Sequence, residues 1–133
     1  MNHVERILNL PALRWNLAIG WTLLLTLFLL QPEAEPLIDL GLPRGPNTIQ
    51  REIFFSALHL LAFALTCFIW YGALRCAFNP RNSLFAALLV AIALGLATEA
   101  LQSLTLDRHA SLIDLIANIC GALIAARFIW RRH

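Results

Sequence analysis

The sequence predicts an all-α integral membrane protein: a bundle of four transmembrane helices with the N-terminus and the C-terminus in the cytoplasm. Hydrophobic residues make up 59% of the 133 residues and charged residues only 14%, whereas an average soluble domain carries about 25% charged residues. The hydrophobic residues are concentrated in four runs rich in leucine and alanine, at residues 15–30, 53–74, 82–98 and 111–126. Because the length suits one domain, we expect residues 1–133 to form a single membrane domain.

The length of each run decides whether it can span a membrane. A helix of about 17–25 residues crosses a hydrocarbon core of about 30 Å. The third and fourth runs reach this length only when Glu99 and Asp114 enter the helices. The predicted helices therefore cover about residues 14–31, 53–75, 82–103 and 111–130, with an outer loop at 32–52. The first run follows a basic segment, but it is long and lacks a small-x-small cleavage pattern, so we expect a retained helix and not a signal peptide.

The distribution of arginine predicts the orientation of the bundle. All ten basic residues are arginine, and four spans divide them unevenly between the two sides of the membrane. Seven fall on the side of the termini, namely Arg6, Arg14, Arg75, Arg81, Arg127, Arg131 and Arg132, and three on the other side, namely Arg44, Arg51 and Arg108. Because cytoplasmic loops carry an excess of basic residues, both termini are predicted to be cytoplasmic.

Several functional classes have no signature in the chain. A basic face with interleaved aromatic residues, as nucleic-acid binding needs, is absent. The three cysteines form no Cys-x-x-Cys pair and no Cys/His spacing typical of zinc, so we expect no metal and no cofactor. The chain also lacks the Gly-x-Ser-Gly and His-Glu-x-x-His motifs of membrane proteases and the arginine–histidine–aspartate spacing of membrane phosphatases.

Residues 99–118 contain polar groups between two apolar runs, and these groups are the candidate site. Ionisable side chains within membrane spans are costly, and they suggest a functional site by default. The predicted topology places residues from three helices at similar depth in the outer half, with His59 roughly 10 Å below the outer end of the second helix. The other candidates are Glu99 and Gln102 on the third helix, Arg108 in the following loop, and Ser111, Asp114 and Asn118 on the fourth helix.

Helical spacing arranges these residues in two stripes. Glu99 and Gln102 are three residues apart and share one face of the third helix. The fourth helix carries a second stripe at steps of three or four residues, formed by Ser111, Asp114, Asn118, Gly121 and Ala125. Small residues allow membrane helices to approach closely. We therefore predict that the third and fourth helices pack together through Gly95, Gly121 and Ala125.

The chemistry of the stripes is compatible with acid–base work on an anionic substrate. A carboxylate near hydrocarbon must pair with another polar group or be protonated. Arg108 and His59 are the possible partners of Glu99, because they are expected at a similar depth in the membrane. Glu99, Asp114 and His59 are the candidate catalytic groups, and Arg108 is the candidate anion-binding group. Gln102, Ser111 and Asn118 are the candidate substrate-binding groups.

A structural interpretation stands beside each of these roles. Asp114 could pair with Arg108 and anchor the loop, and His59 could be a satisfied core histidine. Gln102 and Asn118 could join helices by hydrogen bonds, and Ser111 could cap the fourth helix, a favourable use of serine. The sequence leaves both interpretations open.

The motif of residues 99–121 resembles that of the VanZ-like family of small bacterial membrane proteins. The resemblance is carried by Glu99-x-x-Gln102 and by Arg108-x-x-Ser111-x-x-Asp114-x-x-x-Asn118-x-x-Gly121. His59 matches the histidine of a second family motif, and the similarity covers residues 53–126. The family usually has Asp-Lys shortly before this histidine, where the chain has Phe55-Ser56, and the chain contains no lysine.

The resemblance implies a cell-envelope function in the bacterial cytoplasmic (inner) membrane. The family's namesake is associated with resistance to the glycopeptide teicoplanin. We therefore expect a multi-pass protein that binds or modifies an anionic, lipid-linked envelope component, such as a cell-wall precursor, at an outward-facing site. Its partners would be the lipid bilayer and this lipid-linked component, without nucleic acid.

Two other functions are compatible with the same residues. The protein could be a non-enzymatic scaffold or assembly partner whose polar cluster is a hydrogen-bonded structural element. A small ion- or proton-coupled transporter is the third option, but Glu99 lies near an outer end and not at the midplane, where such transporters place their carboxylate.

Overall fold

The structure, a computed structural model, describes residues 11–31, 48–104 and 111–132 and contains all four predicted helices. The helices are α1 (Pro11–Leu30), α2 (Ile49–Leu74), α3 (Pro80–Gln102) and α4 (Leu112–Trp130). Each of them is long and apolar enough to cross a membrane, and the described segments contain no strand. The all-α membrane fold is therefore confirmed.

The helix starts follow from capping residues. α2 begins at Ile49, so residues 49–52 belong to a helix and not to the predicted outer loop. The physical reason is that Thr48 is the N-cap and its side chain accepts a hydrogen bond from the backbone N–H of Arg51 at 3.3 Å. Glu52 lies in the first turn, where the helix dipole favours a negative charge. Residues 32–47 of the predicted loop lie outside the described residues.

α2 and α4 run in the same direction and approach each other closely at Gly121. A methyl group added at Gly121 would overlap the backbone carbonyl oxygen of Leu60 and would lie 3.1 Å from the backbone nitrogen of Ala64. The face of α4 that contains Gly121 lies against the backbone of α2. The prediction that Gly121 packs on α3 is therefore wrong. Gly95 of α3 does face α4, since its added methyl would lie 3.2 Å from Cβ of Asn118.

The middle of the bundle is packed with small side chains. A buried cluster joins α2, α3 and α4 and includes Cys67, Ala87, Ala91, Ala122 and Ala125. Lipid tails are as apolar as the core, so association of membrane helices depends on close packing and hydrogen bonds and not on exclusion of water. Small residues permit that packing.

Hydrogen bonds attach α1 to α2 along their antiparallel contact. Nε1 of Trp21 donates to the hydroxyl of Thr66 at 2.9 Å, and Nε1 of Trp70 donates to the hydroxyl of Thr22 at 3.0 Å. Nη1 of Arg14 donates to the carbonyl oxygen of Gly72 at 3.3 Å. α1 is the least buried of the four spans, and these bonds add to the packing that holds it against α2.

Charge is distributed asymmetrically between the two ends of the bundle. We call the end at which α1 and α3 begin and α2 and α4 end the arginine-rich end. Among the described residues it carries Arg14, Arg75, Arg81, Arg127, Arg131 and Arg132. The opposite end, which we call the polar end, carries Arg51 and all described acidic residues, namely Glu52, Glu99 and Asp114.

Candidate functional site

Two side-chain pairs join α2 to α4 near the polar end. Oγ of Ser56 donates to Oδ1 of Asp114 at 2.8 Å. Nδ1 of His59 lies 2.9 Å from Oδ1 of Asn118, and because a carbonyl oxygen only accepts, Nδ1 is the donor. Ser56 and His59 are three residues apart on α2, and Asp114 and Asn118 are four apart on α4. The two pairs are therefore stacked about one helical turn apart, and we call these four residues the polar column.

Burial increases along the polar column toward the middle of the bundle. Ser56 and Asp114 are half-buried, whereas His59 is 7% exposed and Asn118 only 1%. The ring of His59 lies parallel to that of Phe63, with the centroids 6.5 Å apart. The outer pair is thus partly accessible, and the inner pair is enclosed by apolar neighbours.

Asn118 occupies a space that glycine provides. Nδ2 of Asn118 would lie 3.4 Å from a Cβ atom at Gly95, so the absence of a side chain on α3 leaves room for the amide. Within the described part of the chain, Nδ2 has no hydrogen-bond partner. The contacts with Gly95 and His59 hold the amide in place among three helices.

Glu99 connects α3 to the start of α4. Its Oε2 accepts a hydrogen bond from the backbone N–H of Ser111 at 3.1 Å, and the residue is 7% exposed. Ser111 is the N-cap of α4, and its hydroxyl accepts from the backbone N–H of Asp114 at 3.4 Å. A carboxylate at this place is favoured by the positive end of the α4 dipole. Through Ser111, Glu99 is linked to the outer pair of the polar column.

Gln102 has a different position from the other candidates. Its Nε2 donates to the backbone carbonyl oxygen of Leu29 at 2.8 Å, and the side chain is 5% exposed. The bond ties the end of α3 to the end of α1. Gln102 therefore secures α1, which, like α3, contributes no side chain to the polar column.

The structure brings together most of the predicted site residues on α2, α3 and α4. Glu99 bonds to the backbone of Ser111, while His59, one of its two predicted partners, bonds to Asn118. Arg108, the other predicted partner and the predicted anion-binding residue, lies outside the described residues. Ser56 was missed, although its position three residues before His59 puts both on one face of α2.

The arrangement offers proton donors and acceptors but no cluster typical of a metal site. Within residues 11–31, 48–104 and 111–132, no group of three or more His, Cys, Asp or Glu side chains could hold a metal ion. Within the polar column, the accessible groups are the hydroxyl of Ser56 and the carboxyl of Asp114. These two groups can accept or donate hydrogen bonds and transfer protons at the polar end of the bundle.

Comparison with known proteins supports the assignment that the motifs and the fold suggest. A family model described as VanZ/LLP1 matches residues 17–132, a range that contains most of α1 and all of α2, α3 and α4. Searches among curated proteins and among solved structures gave no significant match. With a family match over most of its length and four helices able to span a membrane, the chain is a multi-pass membrane protein that belongs to the VanZ/LLP1 family.

Proposed function

We propose that the protein binds or modifies an anionic, lipid-linked envelope component at the polar end of the bundle, on the outer side of the bacterial cytoplasmic membrane. The observation that carries the proposal is the half-buried Ser56–Asp114 pair, which lies nearer the polar end of the bundle than the buried His59–Asn118 pair. Polar residues at such depth are expensive unless they serve a site or join helices.

The charge asymmetry supports the outward direction of this site. Six arginines and no described acidic residue lie at the arginine-rich end, whereas all three described acidic residues lie at the polar end. Basic residues are retained on the cytoplasmic side of membrane proteins. The arginine-rich end and both termini would then be cytoplasmic, and the polar column would open toward the outer leaflet.

The residues divide into proposed roles by exposure and bonding. Asp114 is accessible enough to exchange a proton with a headgroup, and His59 and Glu99 are the further candidate acid–base groups. Arg108, three residues before Ser111 in the sequence, would contact the anionic headgroup, because guanidinium groups bind phosphate and carboxylate in bidentate fashion. Gln102, Ser111 and Asn118 already bond to protein groups, which favours positioning over direct contact with a substrate.

A structural function is the second candidate, and one observation favours it. The bonds of Ser56, His59 and Gln102 each join two different helices. Such bonds suit a scaffold or assembly partner whose polar groups only hold the bundle together. In that case shape and hydrogen bonding matter, and the charges do not.

Replacing the two carboxylates by amides separates the candidates. Asp114→Asn keeps an acceptor for Ser56, and Glu99→Gln keeps one for Ser111, so both variants should insert and accumulate normally. If the site is functional, we expect each variant to fail to complement the envelope phenotype of a deletion strain, measured as susceptibility to envelope-acting antibiotics. Full complementation by both variants, with equal protein in the membrane by immunoblot, would assign the cluster to the scaffold.

Replacement of the predicted anion-binding arginine tests the substrate class directly. We expect the purified protein in detergent to retain a polyprenyl phosphate in preference to the uncharged polyprenol of equal length, as counted by native mass spectrometry. Arg108→Gln should reduce the preference for the phosphate over the alcohol about ten-fold, since charge-assisted hydrogen bonds are about twice as strong as neutral ones. Arg127→Gln removes the same charge at the other end and is the matched control. Equal losses in both variants would contradict a specific headgroup site.

A further inference from the structure

A concave site lies at the arginine-rich end, at the opposite end of the bundle from the polar column. It is a partly open groove of about 370 Å³ where the end of α2, the start of α3 and the end of α4 meet. Its lining residues are Tyr71, Pro80, Arg81, Leu84, Ile129 and Trp130. The proposed function uses none of them.

The lining of the groove is amphipathic. Ile129 is buried and Leu84 is half-buried, so they provide an apolar inner wall. Arg81 and Trp130 are exposed at the rim, and the guanidinium carbon of Arg81 lies 5.6 Å from the ring centroid of Trp130. An occupant that fits this lining has an apolar part for the wall and an anionic part for the guanidinium.

The surroundings of the groove favour an anion from the membrane. Further arginines lie at the same end of the bundle, and the described acidic residues all lie at the polar end. Tyr71 and Trp130 are placed near the helix ends, where aromatic side chains occupy the headgroup level of a bilayer. Basic pockets between membrane helices bind anionic headgroups. A nucleic acid lacks an apolar chain for the inner wall, whereas the lipids of the surrounding leaflet carry one at this depth.

We propose that this groove binds one anionic glycerophospholipid of the surrounding leaflet. The phosphate lies against the guanidinium of Arg81 beside Trp130, and the glycerol with the first acyl carbons lies on Leu84 and Ile129. The bound lipid fills the gap between α3 and α4 at their arginine-rich end. This inference is independent of the substrate proposed for the polar end.

Lipid retention by matched arginine variants tests the groove. The full-length protein in a non-ionic detergent is mixed with phosphatidylglycerol or with phosphatidylcholine of the same acyl chains, and bound lipid is counted by native mass spectrometry. We expect phosphatidylglycerol to be favoured and Arg81→Gln to lower its affinity about five-fold, the effect of one arginine near an anionic headgroup. Arg132→Gln is the matched control, since Arg132 also lies over an aromatic ring of α4, that of Phe128, but does not line the groove.

Two further measurements separate the groove from general electrostatic attraction and from a site for free phosphate. Leu84→Trp leaves the charge unchanged and fills the groove, so it should also lower retention of phosphatidylglycerol. Soluble glycerol 3-phosphate should not displace the lipid. Equal losses for Arg81→Gln and Arg132→Gln, equal retention of the two lipids, or displacement by glycerol 3-phosphate would each overturn the proposal. The arginine pair decides the question even when Leu84→Trp does not fold.

Discussion

Replacing Gly121 by alanine is expected to destabilise the bundle by about 3 kcal/mol or more, the upper end of overpacking costs. The added methyl would overlap the carbonyl oxygen of Leu60 and would lie 2.9 Å from its carbonyl carbon. These are backbone atoms of α2, so no side-chain rotation can relieve the contact. α2 and α4 must move apart, and the displacement weakens the polar column that joins them.

Three other glycines provide a graded control for this prediction. Alanine at Gly20 or Gly72 would meet no heavy atom within 4 Å, and it should be neutral or stabilising by about 0.5–1 kcal/mol because glycine is a poor helix residue. Gly95→Ala should be intermediate, since its methyl would lie 3.2 Å from Cβ of Asn118 and 3.3 Å from the ring of Phe63. The free energy of unfolding in bicelles, measured by steric trapping, gives the order. A Gly121→Ala variant as stable as Gly72→Ala would contradict the close approach of α2 and α4.

Disrupting one side of the His59–Asn118 pair is expected to cost about 1–3 kcal/mol, the penalty for leaving a buried polar group without its partner. Asn118→Leu keeps a similar side-chain shape and leaves Nδ1 of His59 without its acceptor. His59→Phe leaves the amide oxygen of Asn118 without its donor. Both side chains are more than nine-tenths buried, so water cannot readily replace the lost partner.

The double variant shows whether the loss of stability arises from the interaction between the two side chains. His59→Phe combined with Asn118→Leu removes both polar groups, so we expect it to be less destabilising than the sum of the single variants by about 0.5–3 kcal/mol, the range of coupling between residues in contact. The same unfolding measurement in bicelles, made on the wild type, the two single variants and the double variant, completes this double-mutant cycle. Strict additivity would mean that the two side chains do not depend on each other, contrary to their 2.9 Å separation.

The sequence alone was sufficient for the helices and for the position of the candidate site along the chain. Four apolar runs of spanning length produce four helices because backbone groups in a bilayer must be bonded within their own segment. Glu99 had to enter a helix for the third run to span, and it lies in α3. Ser111 was predicted to suit the N-cap of the fourth helix, and it caps α4. These features depend on local composition and spacing, which the sequence contains.

The partners across helices were decided only by the tertiary structure. Spacing shows which residues of one helix share a face, but it does not give the rotation of that helix relative to its neighbours. Gly121 was therefore placed correctly on the small-residue side of α4 but against the wrong helix, since that side faces Leu60 of α2. The bonds of Asp114 to Ser56 and of Asn118 to His59 arise from the same parallel contact of α2 and α4. Helical periodicity determined which residues form each stripe. The packing of three helices around Gly95 and Gly121 determined which residues of the neighbouring helices each stripe contacts.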